Sequence, residues 1–244
     1  MRDYQAEFDA RVAFIRNLVE SAGVSGIVFG NSGGKDSALV GILCKAACEN
    51  TVGVLLPCAS KQNYGRDTDD ARALAAQYAI ETRVVDLTAS REAVIAALGG
   101  DDRLNDAARN NIAPRLRMTA LYTIAAAERR LVAGTGNRSE RYMGYFTKWG
   151  DGACDFNPIA DLTATEVFEF LRWLKAPLSI IEKAPSAGLF EGQTDEKEMG
   201  VSYAAIDRWL FTGEANEHDR AIIERYHRNS EHKRTGIAFY KLEE

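Results

Sequence analysis

A short apolar run that ends in a glycine-rich turn constrains the fold of this chain more than any other feature. Residues 27–30 read Ile-Val-Phe-Gly, the turn 31–34 reads Asn-Ser-Gly-Gly, and a run of helix formers starts soon after Lys35. This order predicts a buried strand, a tight loop and a helix. The N–H groups of the helix N-terminus point into such a loop and favour negative charge there. We therefore expect the loop to hold a phosphate-like group.

The residues of this loop suit a phosphate site that also contains a metal ion. Gly33 and Gly34 allow the backbone to approach a ligand closely. Ser32 and Ser37 supply hydroxyl donors, and Asp36 adds a carboxylate where phosphates would otherwise be favoured. A carboxylate beside a phosphate is reasonable if a divalent cation lies between the two. A glycine-rich turn without any ligand is the alternative at this point.

The loop differs from a Walker A motif. That motif has four residues between its first glycine and the Gly-Lys pair, and Ser or Thr follows the lysine. Here three residues separate Gly30 from Gly34, and Asp36 follows Lys35. The pattern Ser-Gly-Gly-x-Asp-Ser instead resembles the pyrophosphate loop of the N-type ATP pyrophosphatases. The resemblance implies that ATP is cleaved between its α- and β-phosphates to activate a carboxylate or a similar oxygen as its adenylate.

The composition bounds the size of the fold and the class of partner. The 244 residues are 46% hydrophobic and 27% charged, which suits one large α/β domain or at most two small ones. A net charge of −5 without a basic block argues against nucleic-acid binding. No apolar stretch approaches the ~20 residues of a membrane span, and the N-terminus does not resemble a secretory signal. We expect a cytoplasmic protein.

Strand-like and helical segments alternate along the first half of the chain. The predicted strands are 26–29, 52–56, 83–86 and 130–133, and the helical segments between them are 36–49, 67–79, 88–98 and 103–129. This alternation predicts an α/β fold with a doubly wound parallel sheet flanked by helices. Ligands of such sheets bind beyond the carboxyl ends of the strands. The loops 32–37, 57–66 and 134–140 should therefore meet at one edge.

The remaining segments complete the prediction. Further helices are predicted over 4–21, 164–174, 202–211 and 215–229, and Pro114 is expected to begin a new helix within 103–129. Residues 134–162 and 183–200 are weakly periodic and predict long functional loops, the second of which could act as a mobile lid. No repeat or linker divides the chain, so we expect a single domain over 1–244.

Four further motifs occur in order along the second half of the chain. Residues 134–140 read Gly-Thr-Gly-Asn-Arg-Ser-Glu, and 144–155 continue with Gly-Tyr-Phe-Thr-Lys-Trp-Gly-Asp-Gly-Ala-Cys-Asp. Residues 183–189 read Lys-Ala-Pro-Ser-Ala-Gly-Leu, and 231–234 read Glu-His-Lys-Arg. With the glycine loop they resemble the NAD synthetases, which use ATP to amidate nicotinic acid adenine dinucleotide (deamido-NAD). The resemblance covers essentially the whole chain and implies an adenine nucleotide α-hydrolase-like fold, with AMP and pyrophosphate as the other products.

The resemblance implies an ATP and metal site at the loop edge of the sheet. Asp36 and Glu140 would bind Mg²⁺ against the phosphates, and Asp36 would be a catalytic residue. Residues that would contact ATP are Ser32, Gly33, Gly34, Ser37, Thr135 and Ser186. Carboxylates are ligands that a hard cation prefers. Considered alone, Glu140 could equally be a solvated acid at a helix start beside Arg138 or Arg141.

The same resemblance implies a second substrate site, located at the interface of a homodimer. Residues that would contact deamido-NAD are Asn111, Arg115, Tyr122, Lys148, Asp155, His232 and Lys233. Arg115 is the expected fork for a phosphate or carboxylate. Lys148 and Asp151 would be catalytic, with Asp151 attracting ammonium and accepting the proton lost during attack. From composition alone, Arg115 could be an exposed helix charge and residues 232–233 part of a polar tail.

Two departures from the family pattern concern the nucleotide. Many relatives carry a lysine where this chain has Ala164, and that lysine would neutralise the ATP phosphates. Its absence is expected to lower nucleotide affinity or rate unless another cation, Lys35 or Lys61, takes its place. The loop 57–66 also differs from the commonest bacterial pattern, and adenine contacts are not assigned there. The 244 residues are all used by the synthetase part, which implies free ammonia as the nitrogen donor, with a separate glutaminase as the alternative.

Two other classes of function stay open as alternatives. One is an enzyme with the same ATP loop: a GMP-synthetase-like enzyme would lack the motifs at 144–155 and 183–196, and a tRNA-thiolating adenylase would show a basic face or paired redox cysteines. The other is a nucleotide-binding protein without catalysis. The presence of both Asp36 and Glu140 argues against it, whereas Ala164 weakly favours it.

Overall fold

The core of the molecule is a parallel sheet. The computed structural model describes residues 2–58, 66–183 and 194–240. Its strands are β1 (Gly26–Gly30), β2 (Thr51–Leu55), β3 (Glu81–Val84) and β4 (Arg130–Ala133), in the order β3-β2-β1-β4. Val28 pairs with Val52 on one side and with Val132 on the other, and all three are buried. The predicted parallel sheet is confirmed.

Helices connect the strands and cover both faces of the sheet. They are α1 (Tyr4–Ala22), α2 (Lys35–Ala47), α3 (Arg66–Gln77), α4 (Thr88–Ala97), α5 (Asp106–Asn110), α6 (Ile112–Glu128), α7 (Arg138–Met143), α8 (Ala164–Trp173), α9 (Leu178–Ile181), α10 (Asp195–Met199), α11 (Tyr203–Thr212), α12 (Glu217–Asn229) and α13 (Glu231–Arg234). A large apolar cluster joins α1, α2, α3 and α8 to one face. A second cluster joins α6 to the other face. The described helices include none that is long and apolar enough to cross a membrane.

Local sequence signals set several element ends. The side chain of Asp3 accepts hydrogen bonds from the backbone N–H groups of Gln5 and Ala6 and so caps α1, which ends at Gly23 with a φ of 61°. Both ends lie within one residue of the predicted helix 4–21, and a polar N-cap and a C-terminal glycine are the usual signals for such ends. α6 begins at Ile112 rather than at Pro114, because a proline fits the first turn of a helix as well as its start.

The structure differs from the prediction in several segments, including the following three. β3 lies two residues before the predicted strand, because its pairing with β2 sets Val52 opposite Glu81. The predicted loop 134–162 contains α7, which is too short to show an apolar period but is fixed by a capping box between Asn137 and Glu140. Residues 195–199 of the predicted loop 183–200 form α10, whereas 184–193 lie outside the described residues.

A third apolar cluster lies beyond the loop edge of the sheet. Helices α7, α8, α11 and α12 contribute to it, with Met143, Ala164 and Ile206 at its centre. Ala164 is 1% exposed, so the position at which the family resemblance leads us to expect a lysine is filled here by a small core side chain. This cluster fixes α7 relative to the end of β1 and thereby positions Glu140.

Candidate active site

Hydrogen bonds of two serine hydroxyl groups stabilise the glycine loop after β1. Ser32 Oγ lies 3.1 Å from Ser37 Oγ, and Ser37 Oγ also donates to the carbonyl oxygen of Gly34 at 3.0 Å. Gly34 is the N-cap of α2. The loop therefore places the N-terminus of a buried helix beside its hydroxyl groups, as a phosphate site requires.

Gly33 needs to be glycine for two reasons, and its replacement should destabilise the fold. Its φ is +71°, and a Cβ would collide with the carbonyl oxygen of Asp67. We expect Gly33→Ala to lower the free energy of unfolding by about 3 kcal/mol, from backbone strain plus overpacking. Gly213→Ala is the matched control, because Gly213 has a φ of +72° and open space around it. Thermal unfolding would contradict this account if both variants lost the same stability.

Two carboxylates from different elements meet in front of this loop. Asp36 Oδ1 accepts a hydrogen bond from Asn137 Nδ2 at 3.0 Å. Glu140 Oε2 accepts from the backbone N–H of Asn137, also at 3.0 Å. Asn137 thus connects the first turn of α2 to the first turn of α7. Burial, and next the charge of Asp36, raises the pKa of Glu140.

The ammonium group of Lys35 lies between these carboxylates. Lys35 Nζ forms an ion pair with Asp36 Oδ2 and is 3.9 Å from Glu140 Oε1. Its side chain is 4% exposed. Burial alone would lower the pKa of Lys35, but the nearby carboxylates outweigh this effect and raise it. The group is therefore charged, and the site already contains one cation.

The donor set fits a magnesium ion that is shared with phosphates. Asp36 and Glu140 offer carboxylate oxygens, and Mg²⁺ is usually held by one or two carboxylates together with substrate phosphates and water. Over the described ranges, no group of three or more His, Cys, Asp or Glu side chains is arranged to hold a metal ion without such help. Asp36 and Glu140 are thus suited to a metal that arrives with its nucleotide.

A cavity of about 1020 Å³ extends from the glycine loop to the turn at 147–152. Its lining includes the predicted site residues Ser32, Gly34, Asp36, Ser37, Asn111, Thr135, Glu140, Asp151 and Lys233. The volume is at the upper end of the range for small-molecule sites, about 300–1000 Å³. One continuous cavity therefore brings the predicted phosphate loop together with Asp151.

The turn at 147–152 is fixed by hydrogen bonds to its neighbours. Asp151 Oδ1 accepts from the backbone N–H of Thr147 at 2.9 Å, and Thr147 Oγ1 donates to Asn111 Oδ1 at 2.5 Å. Lys233 Nζ donates to the carbonyl oxygens of Gly144 and Phe146 at 2.8 and 2.7 Å. Asp151 is open to the cavity, but the surrounding protein desolvates its carboxyl and raises its pKa.

Comparisons with known proteins identify the family of this chain. The family model described as NAD synthase matches residues 7–242. This chain belongs to the NAD synthase family. It is 45% identical to the NH₃-dependent NAD⁺ synthetase of Carboxydothermus hydrogenoformans, over 95% of this chain and 96% of that protein. It is 44% identical to the protein of the same name from Alkaliphilus metalliredigens, over 91% of this chain and 93% of that protein.

Solved structures of family members have the same fold. NMN synthetase from Francisella tularensis superposes with a TM-score of 0.93 at 34% identity, covering 99% of this chain and 100% of that one. The NH₃-dependent NAD synthetase from Campylobacter jejuni gives a TM-score of 0.80 at 29% identity, with the same coverage. The predicted adenine nucleotide α-hydrolase-like fold is confirmed.

Five of the residues predicted to contact deamido-NAD lie outside the cavity lining, namely Arg115, Tyr122, Lys148, Asp155 and His232. Arg115 Nη2 donates to the carbonyl oxygen of Lys148 at 3.4 Å on the outer side of α6. Tyr122 donates to Asp155 Oδ1 at 3.2 Å, and Lys148 Nζ donates to the carbonyl oxygen of His232 at 2.6 Å. Their roles toward deamido-NAD stay predictions.

Two predicted positions fall outside the described residues, namely Ser186 and Lys61. Of the two cations proposed to compensate for Ala164, the described structure therefore contains only Lys35, and that side chain lines the cavity.

An ion-pair cluster that contacts the glycine loop was not predicted from the sequence. Lys183 Nζ lies 2.5 Å from Asp67 Oδ1 and 2.9 Å from Asp70 Oδ2. It also donates to the carbonyl oxygen of Gly33 at 3.3 Å. The motif at 183–189 contained this lysine, but its partners lie more than 100 residues earlier and carry no local signal.

Loss of Lys183 should cost considerable stability. Lys183→Met would remove the ammonium group that pairs with two largely buried carboxylates, and we expect the free energy of unfolding to fall by about 3 kcal/mol. Urea unfolding measures this change. Lys45→Met is the control, since its partner Glu49 is 91% exposed and such surface pairs contribute less than about 1 kcal/mol. Equal losses in the two variants would refute the assignment.

Proposed function

We propose that this chain catalyses the ATP-dependent amidation of deamido-NAD by ammonia, giving NAD⁺, AMP and pyrophosphate. The observation that carries the proposal is the single cavity that joins the glycine loop and its carboxylate pair to Asp151. In the first step a carboxylate oxygen of the substrate attacks the α-phosphorus of ATP and pyrophosphate leaves. In the second, ammonia attacks the acyl adenylate, AMP leaves with the C–O electron pair, and one proton is released.

The glycine loop and the carboxylate pair would serve the first step. Ser32, Ser37 and the N-terminus of α2 would hold the departing pyrophosphate through N–H and O–H donors. Asp36 and Glu140 would hold Mg²⁺, which when bound offsets the negative charge of the phosphate oxygens. Asn137 keeps both carboxylates in place through its amide and backbone N–H. Thr135 lines the cavity next to them.

Asp151 would serve the second step. Its carboxylate lines the same cavity as the glycine loop, so it can attract ammonium and take a proton from the attacking nitrogen. The backbone N–H of Thr147 orients one of its oxygens. Lys233 also lines this cavity, and its hydrogen bonds to the carbonyl oxygens of Gly144 and Phe146 hold its ammonium group in place.

We propose further that residues 1–244 act as one synthetase domain in a cytoplasmic homodimer. The outer surface of α4 and α6 supports this: α4 has no buried residue, and Val84 and Leu98 near it are each 55% exposed. Arg115 and Tyr122 on α6 would then face the partner subunit and could contact deamido-NAD there. Light scattering on purified protein tests the dimer, and a monomer mass would refute it.

The test of the function is stoichiometric product formation. Purified protein with Mg·ATP and ammonium should release AMP and pyrophosphate only when deamido-NAD is present, with NAD⁺ in equal amount. Release without dependence on deamido-NAD would refute the proposal. Binding of ATP with no pyrophosphate release under any condition would indicate a nucleotide-binding protein without catalysis.

A second candidate substrate is the corresponding mononucleotide acid. The structure named NMN synthetase superposes with a TM-score of 0.93, against 0.80 for the C. jejuni NAD synthetase. The chemistry at the carboxylate is the same for both acids. Comparison of kcat/KM for nicotinic acid mononucleotide and for deamido-NAD decides between them, and deamido-NAD is favoured by the 45% and 44% identical relatives.

A further inference from the structure

The surroundings of Lys35 separate it from an ordinary lysine at the start of a helix. Its ammonium group pairs with Asp36 and lies 3.9 Å from Glu140. The rings of Tyr203 and Phe168 lie beside it, with centroids 5.4 and 5.8 Å from Nζ. Such rings attract a cation with their faces. The carboxylates and aromatic rings thus form an enclosed cation site, which the ammonium group of Lys35 occupies.

The charges around this site explain why a cation is needed there. Asp36 and Glu140 are brought together by Asn137. The negative charge of Asp195 in α10 also favours the charged form of the Lys35 ammonium group. Tyr203 donates to Asp195 Oδ2 at 3.0 Å and positions that carboxylate. Carboxylates crowded into a desolvated space repel each other unless a positive charge lies among them. Lys35 supplies that charge in the protein without nucleotide.

A divalent cation at Asp36 and Glu140 would have to share this space with Lys35. The ammonium group already occupies Asp36 Oδ2, while Asp36 Oδ1 and Glu140 Oε2 are engaged by Asn137. Repulsion between Lys35 and the metal is strong at such short range in a poorly solvated site. The phosphates of a nucleotide would relieve it, because they bring several negative charges at once.

We propose that Lys35 is a built-in counter-ion which keeps divalent cations off Asp36 and Glu140 until they enter together with a nucleotide. With the nucleotide bound, the Lys35 ammonium group turns from Asp36 to the polyphosphate and leaves both carboxylates to the metal. Lys35 then acts as a positioning residue for the metal and as a phosphate contact. The inference rests on the proposed ATP site and adds an order of binding to it.

The experiment measures Mn²⁺ binding, with Mn²⁺ as the probe for the metal. Electron paramagnetic resonance counts free Mn²⁺ during titration of the nucleotide-free protein. We expect weak binding by the wild type and at least ten-fold tighter binding by Lys35→Met, because the competing cation is gone. Lys35→Arg keeps the charge and should bind as weakly as the wild type. Lys45→Gln removes a lysine from the outer side of the same helix and should change nothing.

A second titration adds an ATP analogue with a methylene bridge between the α- and β-phosphates. The wild type should then bind Mn²⁺, and Lys35→Met should bind the Mn²⁺–analogue complex about ten-fold more weakly. Tight Mn²⁺ binding by the nucleotide-free wild type overturns the inference, and this measurement decides even if Lys35→Met fails to fold. Equal affinities in the wild type and Lys35→Met also overturn it. Failure of the wild type to bind the analogue would instead refute the proposed function.

Discussion

Asp36→Asn should reduce deamido-NAD-dependent pyrophosphate release by about 10³-fold, the cost typical of losing one charge-stabilising group at a reaction centre. The substitution removes one of the two carboxylates proposed to hold the metal, and with it the nearer of the two ion-pair partners of Lys35, Asp36 and Glu140. The change is nearly isosteric, and its amide oxygen can still accept from Asn137 Nδ2, as Oδ1 does now at 3.0 Å. The loss should therefore lie in the chemistry rather than in the fold.

Two measurements distinguish a loss of catalysis in Asp36→Asn from a loss of folding. Circular dichroism should show an unchanged fold at 25 °C, and the control Asp9→Asn should keep full activity, since Asp9 is exposed on α1 and bonds only to Gln5 among the described residues. A variant of Asp36 that retains a tenth or more of the wild-type rate would contradict the role of this carboxylate.

The glycine loop and its position could be predicted because they depend on local signals and on topology. An apolar run, two glycines and a helix start define the loop, and parallel strands bring their carboxyl ends to one edge. Asp36 and Glu140 are therefore predicted to lie at the carboxyl-end edge of the sheet, although 103 residues separate them. The structure adds that they share Asn137 as a hydrogen-bond donor.

Side-chain direction could not be predicted in the same way. Lys35 and Asp36 are adjacent in sequence, yet their side chains form an ion pair with each other. The Lys35 ammonium group is held there by Glu140 of α7 and by the ring of Tyr203 of α11. The cluster of Lys183 with Asp67 and Asp70 depends on how α3 packs against the end of α9, which no local pattern encodes. Contacts of this kind follow from tertiary packing, and they decide the electrostatics of the site.

The short helices were missed for a different physical reason. α7 has six residues and α10 has five, so neither completes two turns, and an apolar period cannot be read over such a length. Capping chemistry was the available signal for α7, where an N-cap asparagine is followed three residues later by glutamate. Asn137 matters twice, since the residue that caps α7 also holds Asp36.

Asp151→Asn should separate the two steps of the proposed reaction. The kcat/KM for ammonium should fall by about 10²-fold, since the variant can neither attract ammonium by charge nor accept its proton. The first step should survive, because the glycine loop and the carboxylate pair proposed to serve it do not include Asp151. The amide oxygen can still accept from the N–H of Thr147 and keep the turn in place.

Rapid mixing provides the measurement. In a single turnover with ATP and deamido-NAD but no ammonium, the variant should release one equivalent of pyrophosphate at the wild-type rate, and only NAD⁺ formation should slow when ammonium is added.

The pH profile of the ammonium-dependent rate provides a second test of Asp151. Burial raises the pKa of the Asp151 carboxyl, so the wild type should lose ammonium-dependent rate as the pH falls and the carboxylate is protonated. The variant has no such group and should lose that acid limb. Equal slowing of pyrophosphate release and NAD⁺ formation would place Asp151 in the adenylation step, and an unchanged kcat/KM for ammonium would remove it from the chemistry.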